Sequence, residues 1–412
     1  MKKIYLMSIT ISLGLGVLFP WLVYKIFGFF WNYAPVKEKY VDISAVILLI
    51  TLLLIAIVVG FSKHGKKSIN FAEVVKSTLL YNQAIDHLYL ISIAINILNV
   101  LLTGDYQNFL EGAANGTILA YLQLFFDIRI LYYLAILKAY KNQKMGKIIF
   151  YSLLYVVISI LYSSRSGLFW MAFFNICLIA GVRISKAFKQ KIMLLIMVAI
   201  MLAPIVFSVA TTSRGGAENT IEYMAKIIVA RLSDIEISGI ELEQYIEGTY
   251  NEEIFVEKYG LKNQIAQAIN SLLPGDIFQS DVQPNQYWRV VFSGWTVEAA
   301  REHYTSIYMI LPMYLFLKYD GIPGIILCVL FFYILFRIIC KMKDPAIASF
   351  MAGYLFYTFF QYFDWAYHIR DLTCFALTIL VVRVYEKILK RVRLGRHYFY
   401  ERNEGISGNT SL

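Results

Sequence analysis

The chain has 412 residues, of which 59% are hydrophobic and 16% charged, with a formal net charge of +10. That balance excludes an ordinary soluble globular protein. Apolar runs of about 16 to 25 residues recur, and a helix needs about 20 to cross a bilayer, so the sequence reads as an integral membrane protein. In a soluble chain the positive charge would point to nucleic acid. Here it is gathered into clusters that follow apolar runs: Lys63, Lys66, Lys67 and Lys76; Lys138, Lys141, Lys144 and Lys147; Arg183, Lys186, Lys189 and Lys191; and the stretch from Arg383 to Arg402. Such clusters mark cytoplasmic loops, and no nucleic-acid partner is expected.

In chain order, the apolar runs predict spans at about 4–30, 42–62, 81–103, 117–138, 148–163, 167–182 and 192–211. The first shows no cleavage site and reads as an uncleaved helix. With Lys2 and Lys3 inside, every basic loop falls in the cytoplasm. The seventh span then delivers a long polar segment to the outside. From Thr212 to His303 it holds fourteen acids and seven bases, a net acidic loop. Ile221, Met224, Ile228, Leu232 and Ile235 recur at helical spacing within it and predict an amphipathic surface helix. The stretch 271–289, with Pro274, Gly275 and Pro284, reads as irregular structure.

The apolar stretch 305–318 reaches only about 21 Å as a helix, short of a core of about 30 Å. We read it as an interfacial or re-entrant helix on the outer face, with Pro312 in its middle. Spans at about 321–341, 346–362 and 370–390 complete an all-α polytopic fold of about ten transmembrane helices with both termini inside. The divisions are a seven-span bundle (1–211), an extracytoplasmic loop with surface and interfacial helices (212–320), a three-span bundle (321–390) and a cytoplasmic tail (391–412), disordered from Arg402. All four cysteines, Cys177, Cys328, Cys340 and Cys374, lie in apolar runs and read as lipid-facing or packing residues.

Residues able to carry chemistry gather at the outer ends. Ser163-Ser164-Arg165-Ser166-Gly167 forms the tip of a helical hairpin. Arg165 there either snorkels and caps the helix or binds an anion, since a guanidinium fork matches phosphate oxygens. Thr211-Thr212-Ser213-Arg214-Gly215-Gly216 is either a flexible helix exit or an anion cradle. Arg289 precedes Trp295, Glu298, Arg301, Glu302 and His303. On a helix, Glu298, Arg301 and Glu302 share one face. That face is either a salt-bridged surface or a site where Glu298 or His303 acts as general base towards a hydroxyl. Asp364, His368, Arg370 and Asp371 make a second outer polar cluster. Asp127 and Arg129 fall near mid-span, as a functional group or a buried structural pair. No P-loop, H-E-x-x-H, C-x-x-C or G-x-S-x-G occurs, so neither an ATP-driven pump nor a zinc protease is indicated.

On three features the chain resembles the bacterial O-antigen and capsule polysaccharide polymerases of the Wzy type, and more distantly the O-antigen ligases. They are Ser164-Arg165-Ser166-Gly167 in an outer hairpin, Arg214 opening a large outer loop, and the stretch His303–Ile322 ending in Asp320-Gly321-Ile322-Pro323-Gly324. The resemblance implies a GT-C-like, metal-independent glycosyltransferase without cofactor in the bacterial cytoplasmic membrane, its active site facing the periplasm or the cell exterior. It would lengthen a glycan on undecaprenyl pyrophosphate, with a chain-length-regulating protein as partner. By that resemblance Arg165, Arg214, Arg289 and Arg301 bind pyrophosphate, and His303 or Glu298 activates the acceptor hydroxyl. An O-antigen ligase would use the same donor with a lipid A-core acceptor. A lipid-linked oligosaccharide flippase should show two similar halves, which this seven-plus-three arrangement lacks.

Overall fold

A computed structural model describes residues 1–27, 36–63, 84–103, 118–162, 165–182, 184–198, 233–272, 284–296, 298–299 and 309–407. Regular structure among them is helical throughout. The first helix is α1 (Lys2–Ile11), continued by a π-helical segment (Ser12–Leu18) into α2 (Phe19–Phe27). There follow α3 (Glu38–Phe61), α4 (Ala84–Thr103), α5 (Ile118–Phe125), α6 (Ile128–Lys141), α7 (Met145–Leu161), α8 (Arg165–Gly181) and α9 (186–198). The polar segment contributes α10 (Asp234–Glu247), α11 (Glu252–Lys258), α12 (Leu261–Leu272) and α13 (Pro284–Phe292). The chain closes with α14 (Leu311–Lys318), α15 (Ile322–Cys340), α16 (Pro345–Gln361) and α17 (Trp365–Ser407).

Among the described residues four helical stretches, Lys2–Ile26, Glu38–Phe61, Ala84–Leu102 and Ile322–Cys340, are long and apolar enough to cross a membrane, and Met145–Leu161 and Phe169–Gly181 are shorter apolar helices. Leu53, Ile57, Leu153, Ile326, Leu330 and Ile334 stand exposed along them, where a water-soluble bundle would carry polar residues and lipid demands apolar ones. The protein is an all-α membrane protein. Its core lies between the helices and is dense in aromatics. Tyr5 packs on Phe336 and Phe356, and Trp170 stacks on Tyr354 at 4.7 Å.

The helix ends sort into two sets. At one end Lys2 donates to the carbonyls of Gly60 and Ser62, and Lys138 and Lys147 both bond Asp86 at 2.9 Å. At the other end Lys25 pairs with Glu38 and Asp42, and Lys37 with Glu243 and Glu247. That second end carries α10, which lies against α3: Ser44 donates to the Ile235 carbonyl, and Gly239 lets the Val41 backbone approach so closely that a Cβ would lie 3.2 Å from its Cα. The polar segment is therefore a lid of short helices on one end of the bundle.

Several expectations need correction. The fourth span is broken: α5 stops at Phe125 and α6 begins at Ile128, with Asp127 as N-cap accepting from the Arg129 and Ile130 amides. The opened backbone is satisfied laterally, since Ser92 donates to the Phe126 carbonyl at 2.8 Å and the Asp127 amide donates to Thr378 at 3.0 Å. Residues 284–289 are helical rather than irregular and belong to α13, described from Pro284 to Phe292. Pro312 sits in the first turn of α14, not its middle, and leaves a helix of 8 residues. Such a helix rises only about 12 Å, in keeping with a non-spanning element. The stretch from Arg402, expected to be disordered, is helical as far as Ser407, because α17 runs on through it with no proline to stop it. Of the two readings of the cysteines, packing is the one the structure shows for Cys177, Cys328 and Cys374, which are buried, and all four thiols are free. The expected amphipathic helix at 221–232 and the end of the seventh span lie outside the described residues.

Candidate functional site

The lid is held to the bundle by buried polar contacts that begin with α10. Ser233 caps it through the Glu236 amide, and Asp234 and Glu236 occupy its first turn, where the helix dipole favours anions. Four acids of this one helix, Asp234, Glu236, Glu241 and Glu243, are buried. Glu243 accepts from the Lys37 amide at 2.9 Å and faces its ammonium. Asp234 and Glu241 are bonded differently, each to a neutral donor. Gln361 at the end of α16 donates to Asp234 at 2.7 Å, and the Trp288 indole donates to Glu241 at 2.7 Å. Burial without a bonded cation pushes both carboxyls well above the usual carboxylate range. Asp234 also explains a glycine: its carboxyl lies where a Cβ on Gly16 would be, inside the π-helical segment.

From this layer the sequence-predicted residues can be located. Arg165 is the first residue of α8. One turn on, Phe169 packs on Tyr357 at 4.7 Å, and Tyr357 lies one turn before Gln361. The start of α8 is thus at the lid end of the bundle. A cation at a helix N-terminus is repelled by the dipole, whereas an anion there is attracted, so capping its own helix is a poor reason for an arginine at this position. Arg289 lies in the last turn of α13, with its guanidinium 4.2 Å from the centroid of the Trp295 ring. Its neighbour Trp288 is wholly buried against α10, which fixes the register of that helix. Glu298 is exposed, just past a turn in which Thr296 caps the Ala299 amide. Arg214, Arg301, Glu302 and His303 lie outside the described residues. The structure therefore brings the α8 start and Arg289 to one end of the molecule, while Glu298 stands at the surface.

The Asp320-Gly321-Ile322-Pro323-Gly324 motif has a clear physical basis. Asp320 and Gly321 both take positive φ, 50° and 93°. Gly321, with ψ −117°, sits where only glycine is unstrained. Gly324 meets the Leu315 carbonyl so closely that a Cβ would overlap it. Pro323 stands in the first turn of α15. Together they fold α14 tightly back onto α15. Asp320 then accepts from the Tyr245 hydroxyl of α10, which pushes that phenol up to about 12. The motif ties the lid to the span that follows it.

A second polar centre lies deep in the bundle. Arg129 forks two carboxylates at once: Nε and Nη2 donate to Asp127, the latter at 2.7 Å, while Nη1 and Nη2 donate to Asp371 at 2.9 and 2.6 Å. Nη1 also donates to the Tyr354 hydroxyl at 2.8 Å. All five N–H donors of a guanidinium thereby have acceptors inside the protein, and none remains for a ligand. Of the two readings of Asp127 and Arg129, the structural one is the better fit: they staple the broken fourth span to α16 and α17. Asp371 joins this centre. Asp364 instead caps the start of α17 through the Tyr367 amide, and His368 contacts the Tyr362 carbonyl at 2.6 Å. The exposed Arg370 belongs to neither. A long-range partner such as Asp371, 242 residues from Arg129, left no local signal in the sequence. The same is true of Glu241 and Trp288.

Among the described residues no three His, Cys, Asp or Glu side chains come together in a way that could hold a metal ion. Comparison with protein-family models, with curated proteins and with solved structures finds no match for this chain.

Proposed function

We propose that this protein polymerises lipid-linked oligosaccharide repeat units on the outer face of the bacterial cytoplasmic membrane, as a ten-span, GT-C-like glycosyltransferase. The observation that carries the reading is the coincidence at one end of an apolar bundle of a polar lid, an arginine opening α8, and Arg289 on the lid itself. A substrate with a lipid tail, an anionic linkage and a sugar head needs those three environments in that order. The opposite end, with Lys2, Lys138 and Lys147, fits the cytoplasmic side.

In the proposed reaction, a hydroxyl of the incoming repeat unit attacks the anomeric carbon of the growing glycan. The bond from that carbon to the pyrophosphate oxygen breaks, and undecaprenyl pyrophosphate leaves with the electron pair. Arg165, Arg214, Arg289 and Arg301 would neutralise the charge that develops on it. The hydroxyl proton goes to His303 or Glu298. A chain-length-regulating protein would be its partner.

Alanine at Arg165 and at Arg214 tests the reading in cells. Loss of the surface polysaccharide ladder, with single capped repeat units remaining and protein level unchanged, supports it. Accumulation of long lipid-linked polymer would instead mean a ligase. Wild-type chain length in both variants overturns the reading.

A further inference from the structure

We propose that Glu241 is a positioning residue for the lid: its neutral carboxyl, bonded to Trp288, holds α13 and with it Arg289 in place, and ionisation at alkaline pH releases that helix. The consequence for activity rests on Arg289 acting as a pyrophosphate ligand, as argued above; the release of the helix does not.

Glu241 is fully buried, and its one bonded oxygen accepts from a neutral donor, the Trp288 indole, at 2.7 Å. Among the described residues its second oxygen, Oε2, is buried without a hydrogen-bond partner. The described groups around it offer no counter-charge. Tyr259, buried with an unpartnered hydroxyl, is acted on by both Glu241 and Asp364. Asp234, on the same helix, is another acid. Tyr40 of α3 donates to Glu247, and Lys37 is committed to Glu243 and Glu247. From α14, Tyr314 accepts from Lys318. On α13 itself, Arg289 lies over Trp295. An ionised carboxylate in this setting would be a buried charge beside other acids, which is strongly unfavourable. The neutral form accounts for the geometry.

The direction with pH follows. A carboxyl whose value is raised on folding favours the folded arrangement fully at low pH, and that contribution is lost as pH climbs towards its raised value. Locally, the lid gains the same dependence. Above the pH at which exposed glutamates ionise, each unit of pH makes opening about tenfold more favourable until Glu241 ionises in place. Trp288 precedes Arg289 directly, so loosening the indole displaces the guanidinium. Asp234 shares the buried, neutral-donor arrangement and would add to the effect at the start of α10.

The test is hydrogen–deuterium exchange on the full chain in lipid nanodiscs at pH 6 and pH 9, corrected for the intrinsic rate of amide exchange. Peptides covering α13 should open at least about tenfold more at pH 9, and Glu241→Gln, which mimics the neutral carboxyl, should bring that ratio near one. Trp288→Phe, lacking the donor, should raise exchange of α13 at both pH values. A wild-type ratio near one, or the same ratio in Glu241→Gln as in wild type, overturns the proposal. The alkaline fall in polymer formation should likewise vanish in Glu241→Gln. If exchange behaves as stated but Arg289→Ala still makes polymer, the latch stands and the role given to Arg289 fails.

Discussion

Removing the Arg129 guanidinium should be the most damaging single change in the bundle. Arg129→Met keeps most of the apolar stem and deletes every N–H that Asp127 and Asp371 share. Asp127 would keep its cap bonds from the Arg129 and Ile130 amides, and Asp371 its bond from Tyr354. Both would still be buried carboxylates with no cation between them. Breaking a buried pair by deleting one partner costs about 3–5 kcal/mol. Asp371→Asn should cost less, about 1–3 kcal/mol, because Arg129 keeps Asp127 and one charge is lost from a centre that is formally net negative. The double variant should be milder than the sum, with a coupling above about 1 kcal/mol, as for residues in one network. Arg129→Lys, which keeps the charge but cannot fork two carboxylates, should fall between wild type and Arg129→Met. Denaturation of purified protein in detergent micelles, followed by tryptophan fluorescence, measures all four. Unfolding of Arg129→Met within about 1 kcal/mol of wild type, or additive single effects, would refute the staple.

Gly324→Ala should prevent α14 from closing on α15, because the new Cβ meets the backbone carbonyl of Leu315; a drop in folded protein by size-exclusion chromatography checks this, and a normal yield would contradict it. Gly321→Ala should cost about 1–3 kcal/mol from backbone strain at its positive φ, measured by the same denaturation. At the other side of the lid, Gly16→Val should push Asp234 away from Gln361 and raise proteolysis of the polar segment while leaving the basic end of the bundle intact. Trp288→Phe should destabilise by about 1–3 kcal/mol, since it strips Glu241 of the one donor it has among the described residues.

The apolar runs revealed most of the fold. Their lengths anticipated α3, α4, α7, α8, α15 and α16 closely, because lipid imposes a length that a sequence must obey. What they could not reveal was the break in the fourth span. No glycine or proline marks Phe126–Asp127; the break is made by a side-chain cap, by a donor from α4 and by an acceptor from α17, which come from elsewhere in the chain. The sequence reads Pro312 as lying in the middle of its apolar stretch, yet it stands in the first turn of α14, a distinction set by where the helix is capped. Of the candidate site, Arg165 is legible as a charge at a helix end and Arg289 as a charge in the polar segment, though the sequence places it in irregular structure rather than on α13; the glycines at 321 and 324 are legible as the entry to a span. Glu241 and Trp288 are not, since 47 residues separate them and neither belongs to a motif. Buried acids look the same in sequence as exposed ones, and the net acidity of the loop read simply as outward-facing.

The most direct test of the account is elongation in vitro by the purified full chain, reconstituted in lipid vesicles with undecaprenyl-pyrophosphate-linked repeat units and no other protein. The account predicts a ladder of lipid-linked products with release of undecaprenyl pyrophosphate, lost in Arg165→Ala and Arg289→Ala. Repeat units that stay single in the presence of folded wild-type protein would contradict it.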